Sequence, residues 1–158
     1  MILRSVRFSA ILVVVFLTAC GGDDGTGSNS EPTFETLAGT YVGALAGLTQ
    51  GVALSADFSI TFSQTGGSLS GSYAISGTLT EGTVVVAILG SGSLSGTIAS
   101  GLNPSVNITL TNQCPNFSAS FSGTFDSANN RLTISGPVDI LDNCTIILTY
   151  PSVIILSR

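Results

Sequence analysis

The chain contains no tryptophan, no histidine and no lysine, and its only bases are Arg4, Arg7, Arg131 and Arg158. Each absence removes a class of function. Without histidine or lysine there is neither a Ser-His dyad nor a Ser-Lys variant for nucleophilic hydrolysis. With so few bases no patch can meet phosphate backbones, which excludes nucleic acid as a partner. The metal-binding repertoire shrinks as well: of three cysteines, Cys114 and Cys144 are the only two in the body of the chain away from Cys20, and no histidine stands beside them to complete a tetrahedral site. Charge of any kind is scarce, at 8% of 158 residues, and the acids dominate: nine against four arginines, a net charge of -5.

What is present begins with a basic stretch, Met1 to Arg7, followed by an apolar run from Phe8 to Leu17. Those lengths fit a secretory signal. A membrane-spanning helix needs about 20 apolar residues, whereas Thr18, Gly21, Gly22, Asp23 and Asp24 interrupt this run early. The segment closes on Leu17-Thr18-Ala19-Cys20. This motif resembles the lipobox of bacterial lipoproteins. The resemblance implies lipid attachment to the Cys20 thiol, cleavage before Cys20 and acylation of the new amino group. Two or more acyl chains anchor stably where one does not. Gly21 rather than Asp after the cysteine is similar to the pattern that favours export to the outer membrane, with the face of attachment left open. The expected organisation is a signal peptide over residues 1–19, an acylated Cys20 and flexible linker over 20–33, and one β-domain over 34–158. Removing the leader leaves nine acids against Arg131 and Arg158, or -7. The whole-chain mean hydropathy of +0.56 owes much to that leader.

Gly21 to Pro32 holds no apolar residue other than glycine and proline, so it has nothing to bury and is expected to act as a tether. From Phe34 onward the hydrophobic period is two. Phe58, Ile60 and Phe62 alternate with Asp57, Ser59, Thr61 and Ser63. Val106, Ile108 and Leu110 alternate with Asn107, Thr109 and Thr111; Phe117, Ala119, Phe121 and Phe125 alternate with serines and Thr124. These are half-buried antiparallel strands. Turn residues part them at Thr65-Gly66-Gly67, Asn103-Pro104 and Ser127 to Asn130. Gly39, Gly43 and Gly47 argue against a helix over Glu35 to Leu48, and Tyr41 to Leu45 is expected as a strand. The stretch from Cys144 to Leu156 is apolar on both faces and is expected as a closing strand pair bent at Pro151.

The tally is eight to ten strands with short links, which predicts an all-β antiparallel meander closing into a small barrel, with a β-sandwich as the alternative. A weak repeat supports curvature: Leu69-Ser70-Gly71-Ser72, Leu94-Ser95-Gly96-Thr97 and Phe121-Ser122-Gly123-Thr124 each place a glycine in mid-strand.

The patterns Leu37 to Tyr41 and Gly67 to Tyr73 resemble small bacterial β-barrel lipoproteins of uncharacterised function, and more distantly the avidin and lipocalin style of barrel. That distant resemblance makes Tyr73 the one candidate ligand-contacting residue. Avidin-type sites depend on tryptophans that this chain lacks.

Cys114 and Cys144 are the two thiols left for an oxidising compartment, and a disulfide between them is expected. The carboxylates Asp57, Glu81, Asp126, Asp139 and Asp142 are scattered; Asp139 and Asp142 form at most a weak calcium site and are expected on a solvated loop. Gly90-Ser91-Gly92-Ser93 lacks the lysine and helix of a phosphate-cradling loop and is expected as a hairpin turn. The resulting expectation is a non-enzymatic envelope lipoprotein without cofactors, acting as a structural or interaction module with a protein partner. The alternative is a barrel holding a small apolar ligand, and the two differ in whether aromatic side chains fill the interior.

Overall fold

Alternating apolar and hydroxyl residues leave one face of each strand to bury, and the chain answers by closing a single sheet on itself. The computed structural model describes residues 31–158. Eight antiparallel strands follow in sequence order: β1 (Gly39–Thr49), β2 (Val52–Thr65), β3 (Ser68–Glu81), β4 (Val84–Ile98), β5 (Ser105–Thr111), β6 (Ser118–Asp126), β7 (Arg131–Asp142) and β8 (Thr145–Ser157). They form a closed up-and-down barrel. The expected meander and barrel are therefore the architecture observed, and the sandwich is set aside.

The seam closes between β1 and β8, where Gly43 packs against the Ile155 carbonyl and Gly47 against the Tyr150 ring. β1 and β8 register through one pair, Val42 with Ser157. The longest ladder joins β3 and β4 without a shift from Ser68–Thr97 to Glu81–Val84.

Glycines at inward positions let so narrow a tube form. A methyl group on Gly123 would overlap the Thr133 carbonyl oxygen, and one on Gly71 the Thr61 carbonyl oxygen. Neighbouring backbones come that close only where a side chain is missing. Two of the three glycines in the Leu/Phe-Ser-Gly repeat thus sit where strands crowd most, and Gly96 lies against the Asn107 carbonyl in the same way.

Three sequence expectations need correction. Gly90 to Ser93 is no turn; it runs through the middle of β4, because inward Gly90 and Gly92 give up their volume to Ile75 and Tyr73 on β3. Cys144 to Leu156 is not a bent pair. It contributes a single strand, β8, that passes straight through Pro151. Pro151 pairs with Pro137 of β7, so both missing donors fall on one rung of the ladder. Its two apolar faces arise because Val153 and Ile155 point outward and stay exposed. Phe117 precedes β6, which begins at Ser118, and packs on the core from outside the strand.

The two barrel ends differ. At the end where the N-terminal segment enters, Leu37 is fully buried, and Gln64 clamps the entering chain. Its Oε1 accepts from the Leu37 amide at 2.7 Å, while its Nε2 donates to the Glu35 and Gly66 carbonyls at 2.9 and 3.0 Å. Gly101 donates its amide to the Thr33 carbonyl at 3.2 Å. The far end carries the turns at Gln50-Gly51, Gly82-Thr83, 112–117 and Asn143-Cys144. Around it lie the exposed apolar residues Leu48, Val84, Val85, Val86, Ile146 and Ile147.

Candidate functional site

An eight-stranded barrel can be packed solid or hold one small ligand, so the interior is the first place to look. Phe58, Phe62 and Phe121 are each 3% exposed and Phe125 1%. Tyr41 stands at the hub, edge-on to Phe62 and to Phe125 with ring centroids 6.0 Å apart in both cases. Such edge-to-face contacts align a positive ring edge with a negative face. Tyr41, Phe62 and Phe125 meet, and with Phe58 and Phe121 they belong to one buried apolar cluster that takes up the middle of the barrel.

Tyr73 belongs to this filling. Its ring lies 6.1 Å from that of Phe58 at a 38° tilt, beside Gly92. Burial pushes its hydroxyl pKa up. Two depressions of about 440 and 420 Å³ both lie on the outer wall, the first lined by Thr97, Asn107, Thr109 and Ser122, the second by Val42, Asp57, Ser59 and Ala74 among others.

Polar chemistry inside is confined to tyrosine hydroxyls, for among the described residues no charged side chain is buried. Tyr150 donates its hydroxyl to the Val52 carbonyl at 3.2 Å. The Tyr41 hydroxyl is buried without a hydrogen bond of good geometry. Burial raises its pKa, and the neighbouring Arg158 guanidinium pulls it partway back. That guanidinium donates to the Ala38 carbonyl at 2.8 Å and covers the N-terminal end of the barrel. Sequence reasoning missed this lid, and a lone basic residue near the end of an apolar strand was the only signal for it.

The carboxylates do not converge, and the described residues contain no cluster of three or more metal-ligating side chains. Asp57 is exposed on β2 and Glu81 at the end of β3. Asp139 accepts a hydrogen bond from the Thr149 hydroxyl at 2.6 Å, and Asp142 from the Asn143 amide at 3.2 Å. Both acids sit on β7 rather than on a loop. Asp126 caps the β6–β7 turn: Asn129 donates its side-chain amide to Oδ2 at 2.7 Å and its backbone amide to Oδ1 at 3.2 Å. Those bonds from Asn129 hold its carboxyl below the usual range.

Cys114 and Cys144 are joined as expected, with Cα atoms 5.2 Å apart. The bridge falls where the sheet needs it. β6 and β7 pair only from Ser122–Ser135 to Asp126–Arg131, so from Gly136 onward β7 is laddered to β8 alone and not to β6. The disulfide ties the β5–β6 loop to the β7–β8 turn across that lapse. Cys20, the predicted lipid site, lies outside the described residues.

The outer wall is a field of hydroxyls. Thr40, Thr61, Ser72, Ser93, Thr111 and Ser118 follow one another as rung partners from β1 to β6. Two of these neighbours bond directly, Thr40 to Thr61 and Ser93 to Thr111, each at 2.9 Å between hydroxyl oxygens. Along this row the wall offers hydrogen bonds and no charge. No family model, curated protein or solved structure matches the chain.

Proposed function

We propose that this protein is a bacterial envelope lipoprotein, held on a membrane through Cys20, whose barrel is a non-enzymatic structural or interaction module. The observation that carries the reading is the ordered series of basic stretch, apolar run and Leu17-Thr18-Ala19-Cys20, followed by a charged, apolar-poor tether. The outer membrane is the favoured location on the strength of Gly21. The lipobox likeness and the avidin and lipocalin likeness of the barrel are parts of this reading, the second in architecture only.

Support for an interaction role over interior ligand binding comes from the packed centre, where Tyr41, Phe58, Phe62, Phe121 and Phe125 leave the outer wall and the far end as the surfaces a partner meets. Fractionation of cells carrying wild type and Cys20→Ala tests the anchor. The wild type is expected with membranes and the variant in the soluble fraction; a soluble wild type overturns the reading.

A further inference from the structure

We propose that the far half of β4 is a docking edge for a second copy of this chain, joined by antiparallel β4–β4 pairing. β4 pairs with β5 only from Ser93–Thr111 to Ile98–Val106. On that side the nine residues from Val84 to Gly92 have no ladder partner. Among the described residues no loop or side chain hydrogen-bonds to this stretch either. Its side chains are as bare as its backbone: Val84, Val85 and Val86 are 61%, 62% and 53% exposed, and Leu89 is 87% exposed.

Sheet edges are ordinarily blunted by charge, proline, bulges or a covering loop. The β7 edge, freed where the β6 ladder stops, carries all of these devices: Pro137, Asp139, Asp142, the register shift at Ile140/Leu141 and the disulfide at its tip. β4 carries none. No charged residue occurs from Gly82 to Phe125, and the β3–β4 ladder holds its register throughout. An unguarded run of valine, isoleucine and leucine with unpaired backbone groups is a template for an extended strand.

The same segment of a second copy fits that template. Being uncharged, it meets itself with no like-charge contact, although the chain as a whole is acidic. Register is set by parity, because a shift of one residue turns outward side chains inward. From Ala87 to Gly92 the odd-numbered residues face outward and the even-numbered ones inward, while Val84 to Val86, at the barrel's far end, are exposed whichever way they point. A two-fold axis at Ile88 keeps the faces matched, pairing Ala87 with Leu89 of the second copy and Val85 with Ser91. The antiparallel arrangement places the barrel ends entered by Thr33 to Leu37 at opposite extremes of the pair.

This inference deepens the interaction-module reading and rests on it for its setting, but not on lipid attachment. Two differently tagged full-length copies are co-expressed and one is purified in detergent. The second tag is expected to co-purify. Ala87→Lys with Leu89→Lys sets two like-charge pairs across the two-fold while altering only exposed positions, and is expected to cut co-purification roughly tenfold. Combining that variant with an Ala87→Glu, Leu89→Glu copy is expected to restore it. The pair is expected to persist in a Cys20→Ala background, whose location in the cell reports separately on the anchor. Co-purification that ignores the lysines, is not rescued by the opposite charges, disappears with Cys20→Ala, or yields a different protein in place of the second copy overturns the proposal.

Discussion

Opening the Cys114–Cys144 bridge, by reduction or by replacing both residues with serine, removes the one covalent link between the β5–β6 loop and the β7–β8 turn. The cysteines are 30 residues apart in sequence. In the chain-entropy account, closing a loop of about that size removes about 3 to 4 kcal/mol of freedom from the unfolded chain. The described domain spans residues 31–158, and unfolding entropy near the midpoint is about 2.1 cal/mol/K per residue. The midpoint is then expected to fall by roughly 11 to 15 °C. Because the β6–β7 ladder ends at Ser122–Ser135, the loss also has a local signature. Amides of β7 beyond Gly136 and of the first half of β8 should exchange faster at temperatures where the rest of the barrel remains protected. The assay is a thermal melt followed by circular dichroism with and without reductant, paired with hydrogen exchange. A midpoint that moves by less than about 2 °C, with exchange unchanged in β7, would refute both the loop-closure estimate and the role assigned to the bridge.

Other expectations follow from particular contacts. Gly123→Ala forces a methyl group onto the Thr133 carbonyl and is expected to cost about 2 kcal/mol or more, read by urea denaturation, whereas Ser120→Ala on the outer wall should cost under about 0.5 kcal/mol. Phe121→Ala should destabilise by about 3 to 5 kcal/mol and create a void that takes up a small apolar probe such as benzene. Uptake of benzene by the wild type at the same concentration would contradict a filled interior. The lowered pKa of Asp126 gives stability that is present above the ordinary carboxylate pKa and is lost as pH falls through the depressed folded value. Asp126→Asn is therefore expected to flatten the dependence of melting temperature on pH in the acid range, and an unchanged profile contradicts the cap.

Much of the fold could be read from alternation alone, because Phe58 to Phe62 and Val106 to Leu110 bury every second residue and expose the hydroxyls between them. Closure was also legible in the Leu/Phe-Ser-Gly repeat. Position within a strand was harder. Gly90 and Gly92 look like turn residues locally, and only the rings they face on β3 explain why a strand runs through them. Pro151 looks like a bend until Pro137 is found opposite. For the candidate site, pairing of Cys114 with Cys144 followed from elimination, but the hub role of Tyr41 and its cover by Arg158 depend on contacts between opposite ends of the chain. The bare edge of β4 was not legible either. A two-sided apolar run such as Val84 to Leu89 reads equally well as a central strand, and what leaves it uncovered is the short length of β5, at seven residues.

The proposed membrane attachment requires Cys20 to become the acylated first residue of the mature chain. Intact-mass and N-terminal peptide mass spectrometry of the chain extracted from membranes tests this most directly. The predicted result is a chain beginning at Cys20 and carrying a diacylglycerol thioether, with an acyl group on its amino terminus. A chain that retains residues 1–19, or one cleaved elsewhere with an unmodified Cys20, contradicts it.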